Sequence, residues 1–211
     1  MGLVYIKNER DLTKIGIWKV EESIEELKSR LMLNEEELTF YNKLNKGKRN
    51  LHWLGGRVLL RYLLDTDDFI EVREDEHGKP KLINFNYEIS ISHSYEYAAV
   101  VISGKQVGID IEKIKDVIVG LTHKFMNDDE LKSIDNSSNL EKLYVYWSAK
   151  ESLFKLNGKK HLNFKDEINI HPFEYLNKGI IQAEIRSRDN IRNFNVFYEE
   201  FRGYMFTYVI E

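Results

Sequence analysis

No cysteine occurs among the 211 residues, which removes disulfides, thiolate metal sites and cysteine nucleophiles together. Proline is nearly as scarce, at 2, and glycine stands at 12, so a low-complexity chain is excluded. No apolar run approaches the length of a membrane span, and the opening MGLVYIKNER carries charges where a signal peptide would have its apolar core. Ile6 stands where an N-myristoylation signal needs Ser or Thr. A cytoplasmic protein without membrane attachment is the expectation. Positive charge is not in excess either: 31 Lys and Arg face 35 Asp and Glu, a net charge of -4. That argues against a nucleic-acid partner and leaves local basic clusters open.

What is present is the make-up of a folded globular chain, 42% hydrophobic and 31% charged, long enough for one large domain or two small ones. The stretch 144–160, YVYWSAKESLFKLNGKK, stands out. On a helix starting near Leu140, the residues Leu140, Leu143, Tyr144, Trp147 and Phe154 gather on one arc, and Glu151 projects into its middle. A carboxylate among core residues costs on the order of 3 kcal/mol or more unless a cation meets it. Lys155 lies one turn on, at the edge of the same face. The pair is either a half-buried ion pair or chemistry.

Upstream, residues 3–6 and 15–20 read as strands and 21–37 as an acidic helix through Ile24, Leu27, Leu31 and Leu33. A helix follows over 47–64, with Leu51, Leu54, Val58 and Tyr62 on one face and Gly55-Gly56 permitting close packing. Arg57 and Arg61, one turn apart, are solvated surface residues or an anion site. Asp75-Glu76-His77-Gly78 signals a turn that presents Lys79 and Pro80 at a corner. The segment EISISHS alternates Ile with Ser and ends in Ser92, His93 and Ser94; small polar groups beside His93 and Lys79 suit a phosphate, although a histidine there is more often structural.

YAAVVI (97–102) and VGIDIE (107–112) read as two strands of a hairpin turned at Ser103-Gly104-Lys105. Period two sends Asp110 and Glu112 out of one side, about 6.6 Å apart along the strand. A hard divalent cation would offset their repulsion, and Gly108 would let something approach closely. Residues 127–130 cap a short helix behind Phe125-Met126, in a segment that is a partner-binding flap or a plain connection, and 135–139 form a loop. The remainder, from Asn163, alternates as strands. Each half places a long helix before short strands. The expected fold is therefore α+β, a pseudo-two-fold pair of similar modules, each a long helix on a small mostly antiparallel sheet, over residues 1–104 and 105–211.

HGKP with ISISHS, then Gly108–Glu112, then Trp147–Lys155 stand in an order that resembles the 4'-phosphopantetheinyl transferase superfamily, in its longer single-chain, two-module, surfactin-synthetase-activating type. The likeness runs from LNEEEL and GGRVLLR through Lys160. It implies transfer of the 4'-phosphopantetheine arm of coenzyme A to a serine of an apo acyl or peptidyl carrier protein, releasing adenosine 3',5'-bisphosphate. By the same resemblance Asp110, Glu112 and Glu151 hold Mg²⁺, with Mn²⁺ as a substitute, and Glu151 and Lys155 are catalytic, Lys155 at the pyrophosphate. Lys79, Pro80, Ser92 and His93 grip the nucleotide end of coenzyme A, His93 at the 3'-phosphate, and Arg57 or Arg49 assists. A monomer is expected. Two other readings use the same residues: a non-catalytic nucleotide- or carrier-binding module, and a Mg²⁺-dependent phosphohydrolase. Asn157-Gly158-Lys159-Lys160-His161 departs from the family pattern, and its cations could instead attract an acidic carrier.

Overall fold

A computed structural model describes residues 2–44, 48–134, 140–158, 162–187 and 190–211. The expected loop at 135–139 and the cations Lys159, Lys160 and His161 lie outside them. The fold is α+β, and all strand pairs among the described residues are antiparallel.

Strands β1 (Leu3–Asn8) and β2 (Lys14–Lys19) form a first sheet with β5 (Glu88–Ser94) and β6 (Tyr97–Ser103), in the order β1-β2-β6-β5. A second sheet begins with β7 (Val107–Lys113) and continues through β11 (Tyr204–Ile210), β10 (Asn190–Phe201), β9 (Lys178–Ser187) and β8 (Ile168–Ile170). The alternation of side chains across each sheet decides the layering. Ile15, Ile17, Ala99 and Val101 from the first sheet meet Ile109, Ile111, Phe206 and Tyr208 from the second in one buried cluster. The opposite face of the first sheet, through Trp18, Val100 and Ile102, packs on α3 (Lys48–Leu64). The opposite face of the second, through Met205 and Val209, packs on α6 (Leu140–Asn157). Two sheets thus lie face to face with one long helix outside each.

The hairpin expected over 97–112 is corrected by this layering. β6 pairs with β2 and β5, whereas β7 pairs with β11. Both strands are apolar on the shared inner face, and stacking those faces buries more than edge pairing would. The acidic helix expected over 21–37 is also two helices, α1 (Ile24–Ser29) and α2 (Glu35–Lys43). Each has its own capping box, Ser23 with Glu26 and Asn34 with Glu37, so the chain stops and restarts between them. On α3 the buried side runs through Leu54, Val58, Leu59 and Leu63, and Tyr62 is exposed.

The short strands β3 (Val72–Glu74) and β4 (Pro80–Leu82) pair across the turn at Asp75, whose Oδ1 accepts from the main-chain N–H of His77 and Lys79. After β7 come a 3₁₀ turn (Asp116–Leu121), α4 (Thr122–Phe125) and α5 (Asp128–Lys132), the last capped by Asn127. No helix among the described residues is long and apolar enough to cross a membrane.

Candidate active site

Gly108 sets the geometry. A Cβ on it would lie 1.9 Å from the main-chain oxygen of Ser152, so α6 crosses β7 backbone against backbone. What approaches the glycine is the helix itself. The crossing puts Asp110, two residues along and on the same face, under α6: Ser148 Oγ donates to its Oδ2 at 2.5 Å, and Lys155 Nζ to its Oδ1 at 2.8 Å. Asp110 is 2% exposed. The helix is then fixed lengthwise by Ser152 Oγ against Thr207 Oγ1 at 2.6 Å.

Glu112, half-buried, accepts from Ser94 Oγ at 3.0 Å. Burial, then the negative charge of Asp110, pushes its carboxyl up to about 7, while hydrogen bonds from Ser94 and Trp147 and the charge of Lys155 offset part of that. Glu151 is also half-buried, and burial followed by Asp110 raises it to about 7 against the opposing pull of Lys155. The arc expected to face the core is corrected here. Trp147, Glu151 and Phe154 are only half-buried, and the fully buried side of α6 carries Val145, Tyr146, Ala149 and Leu153. Helix α6 is buried on more than one side because the second sheet covers one, and Phe125 and Phe164 pack on Trp147 on another.

Three carboxyl groups therefore feel one another at this crossing, with the ammonium of Lys155 on one of them. Among the described residues no group of three acidic or histidine side chains already stands ready to hold a metal ion. The donor set nevertheless fits a hard divalent cation by its chemistry. All donors are oxygens, and the carboxyl groups of Glu112 and Glu151, raised first by burial, are raised further by the negative charge of Asp110.

On the other face of β5, His93 stacks on His52 of α3 with ring centroids 4.8 Å apart. Desolvation, then repulsion from His52, Lys155 and Arg49, holds His93 below the ordinary imidazole range. Both imidazoles line a cavity of about 650 Å³ together with Arg49, Trp53, Arg57 and Pro80. Arg57 is paired with Glu37 at 3.0 Å and lies over Trp53, whereas Arg49 is exposed. Arg61 turns away from the cavity, to the main-chain oxygens of Asp67 and Asp68.

The structure brings Pro80, His93 and Arg57 to the cavity and Asp110, Glu112, Glu151 and Lys155 to the helix crossing. Lys79 and Ser92 have other neighbours than the sequence suggested. Lys79, 9% exposed, gives its ammonium to Gln106 Oε1 at 2.8 Å and to the main-chain oxygen of Leu156 at 2.9 Å, at the C-terminal end of α6. The Ser92 hydroxyl lies between Asp110 and Lys155.

Three residues went unread in the sequence. His52 stands three residues after Arg49, on the same side of α3, and that spacing was the available signal. Ser148 is the small residue of the motif at 147–151. Lys150, beside Glu151, is 0% exposed and bonded to Glu130 Oε2 at 2.7 Å and to the main-chain oxygens of Phe125, Phe164 and Ile168 at 2.8 Å each. Glu130 also accepts from the N–H groups of Asn127 and Ile170. This buried pair ties α6 to α5 and β8.

Residues 106–209 match the family model described as the 4'-phosphopantetheinyl transferase superfamily. The chain is 30% identical over 132 residues to the 4'-phosphopantetheinyl transferase gsp of Aneurinibacillus migulanus, covering 59% of this chain and 55% of that protein. It is 31% identical over 130 residues to the 4'-phosphopantetheinyl transferase Sfp of Bacillus subtilis (strain 168), covering 57% and 56%. The match thus spans about half the length of the curated relatives. Through the segment that carries β7, α6 and their acidic residues, the chain is similar to the 4'-phosphopantetheinyl transferase superfamily.

Proposed function

We propose that the protein transfers the 4'-phosphopantetheine arm of coenzyme A to a serine of an apo carrier protein, acyl or peptidyl, and releases adenosine 3',5'-bisphosphate. The observation that carries this reading is the β7–α6 crossing, where Asp110, Glu112, Glu151 and Lys155 stand together inside the segment that matches the family. Residues 1–104 form the module that receives the nucleotide end, in the cavity lined by Arg49, His52, Arg57, Pro80 and His93. Residues 105–211 form the module that holds the metal and the catalytic groups.

Asp110, Glu112 and Glu151 would hold Mg²⁺, which supplies neutralisation of the pyrophosphate and of the charge that develops on the leaving group. The serine oxygen of the carrier attacks the phosphorus that bears the pantetheine arm. The bond from that phosphorus to the bisphosphate oxygen breaks, and the electron pair leaves with the bisphosphate. Glu151 takes the serine proton, directly or through a water. Lys155 is the ammonium nearest the acids, and from there it stabilises charge on the departing group. Arg49, an exposed cation at the cavity, and the His52–His93 stack are suited to phosphate.

The test is the intact mass of an apo carrier after incubation with the protein, coenzyme A and Mg²⁺. A mass gain of one phosphopantetheine is expected on at least one of a panel of carriers drawn from fatty-acid, polyketide and nonribosomal-peptide systems. No gain on any of them, with coenzyme A bound, would overturn the reading; release of bisphosphate without a gain would point to hydrolysis.

A further inference from the structure

Strands β5 and β7 are the facing edges of the two sheets, and no main-chain ladder joins them among the described residues. Three serines do so. Ser90 Oγ accepts from Ile109 N–H at 3.1 Å, Ser92 Oγ from Ile111 N–H at 3.3 Å, and Ser94 Oγ from Lys113 N–H at 3.2 Å. Each pair is 19 residues apart in sequence, so the strands run in the same direction and the rungs repeat every second residue. All three serines are buried.

A hydroxyl has one proton and two lone pairs, and what happens to the proton differs from rung to rung. At the first rung β7 offers Gly108, which has no side chain. At the second, Ser92 donates to Asp110 Oδ1 at 2.9 Å and also accepts from Lys155 Nζ at 2.9 Å. At the third, Ser94 donates to Glu112 Oε2 at 3.0 Å. The hydroxyls that join the sheets are therefore the same groups that orient the two strand carboxylates.

We infer that Ser92 and Ser94 are positioning residues for Asp110 and Glu112, whereas Ser90 only joins the strands. This rests on the reading that the carboxylates hold a divalent cation. It gives the Ser92 hydroxyl work on Asp110. Loss of either hydroxyl frees a carboxylate to rotate, and groups that orient metal ligands in this way typically contribute ~10–100-fold in metal affinity.

Ser90→Ala, Ser92→Ala and Ser94→Ala in the full chain, titrated with Mn²⁺ and followed by the electron paramagnetic resonance of the free ion, test this. Each variant is also melted. All three lose stability, because each loses one rung, and Ser92→Ala and Ser94→Ala lose the bonds to the carboxylates as well. Mn²⁺ affinity falls ~10-fold or more for Ser92→Ala and Ser94→Ala and stays near wild type for Ser90→Ala. Ser94→Thr, which keeps the hydroxyl, retains affinity; Ser94→Cys, similar in size with a poor donor, loses it, and this pair decides if an alanine variant fails to fold. Equal affinity losses at all three rungs, or none at Ser92 and Ser94, would overturn the positioning role alone. A wild-type protein that binds no Mn²⁺ would overturn the cation reading and this assignment with it.

Discussion

The two sheets meet their helices in different ways. In the first, Gly16 of β2 lies beneath α3, and a Cβ there would meet the tip of Leu59 at 2.8 Å and of Leu63 at 3.2 Å. In the second, Gly108 lies beneath the main chain of α6, with Ser152 oxygen at 1.9 Å and Leu156 nitrogen at 2.8 Å. A leucine tip can turn aside, whereas a helix backbone cannot. The first crossing is a packed interface with slack in it. The second fixes the height of a helix whose Ser148 and Lys155 reach a buried carboxylate on the strand below.

The sharpest way to break that comparison is Gly108→Ala beside Gly16→Ala. Gly108→Ala should cost at or above the top of the ~1–3 kcal/mol range for overpacking, and transfer activity should fall by far more than the unfolded fraction explains. Gly16→Ala should stay at the lower end with activity retained. Urea denaturation and the carrier mass assay read both, and equal losses would remove the contrast.

The buried ion pairs differ in the same sense. Lys150 and Glu130, at 0% and 1% side-chain exposure, are sealed between α5, α6 and β8, while Arg57 and Glu37 border an open cavity. Lys150→Met strands a buried charge and should cost ~3–5 kcal/mol. Adding Glu130→Gln, which keeps an amide oxygen for Ile170 N–H, should recover part of it. Arg57→Met should cost less, ~1–3 kcal/mol, because water in the cavity reaches Glu37. Chemical denaturation checks the order, and a larger loss from Arg57→Met would reverse it.

The smallest effect belongs to the first half's cavity. His93→Ala should weaken coenzyme A about tenfold, the worth of one charge-assisted hydrogen bond, and 3'-dephospho-coenzyme A much less. Calorimetry with both ligands measures it; equal losses would remove His93 from the 3'-phosphate.

Much of this was legible in the chain because period and motif act locally. The alternation of VGIDIE put Asp110 and Glu112 on one face, and α6 begins at Leu140 as its pattern indicates. What was not legible depends on partners distant in sequence. The alternation of EISISHS gave the three serines one face and said nothing of β7 as their neighbour. Nothing local to Lys150 announces that Glu130 and three main-chain oxygens close round it. Ser103-Gly104-Lys105 signals a turn equally well whether the flanking strands pair side by side or stack face to face. Lys79 at a polar turn looked free for an anion, and only the approach of α6 from the other half gives it the carbonyl of Leu156.

In the proposed function the acids at the β7–α6 crossing carry out transfer from coenzyme A to a carrier serine. The most direct measurement is intact mass spectrometry of one responsive apo carrier, treated with wild-type protein or with Glu151→Gln, with coenzyme A binding followed in parallel. Conversion to the phosphopantetheinylated carrier is expected with wild type, and conversion at least ~100-fold slower with Glu151→Gln, the scale of a general-base contribution, with the variant folded and still binding coenzyme A. Equal conversion by the two proteins would contradict it.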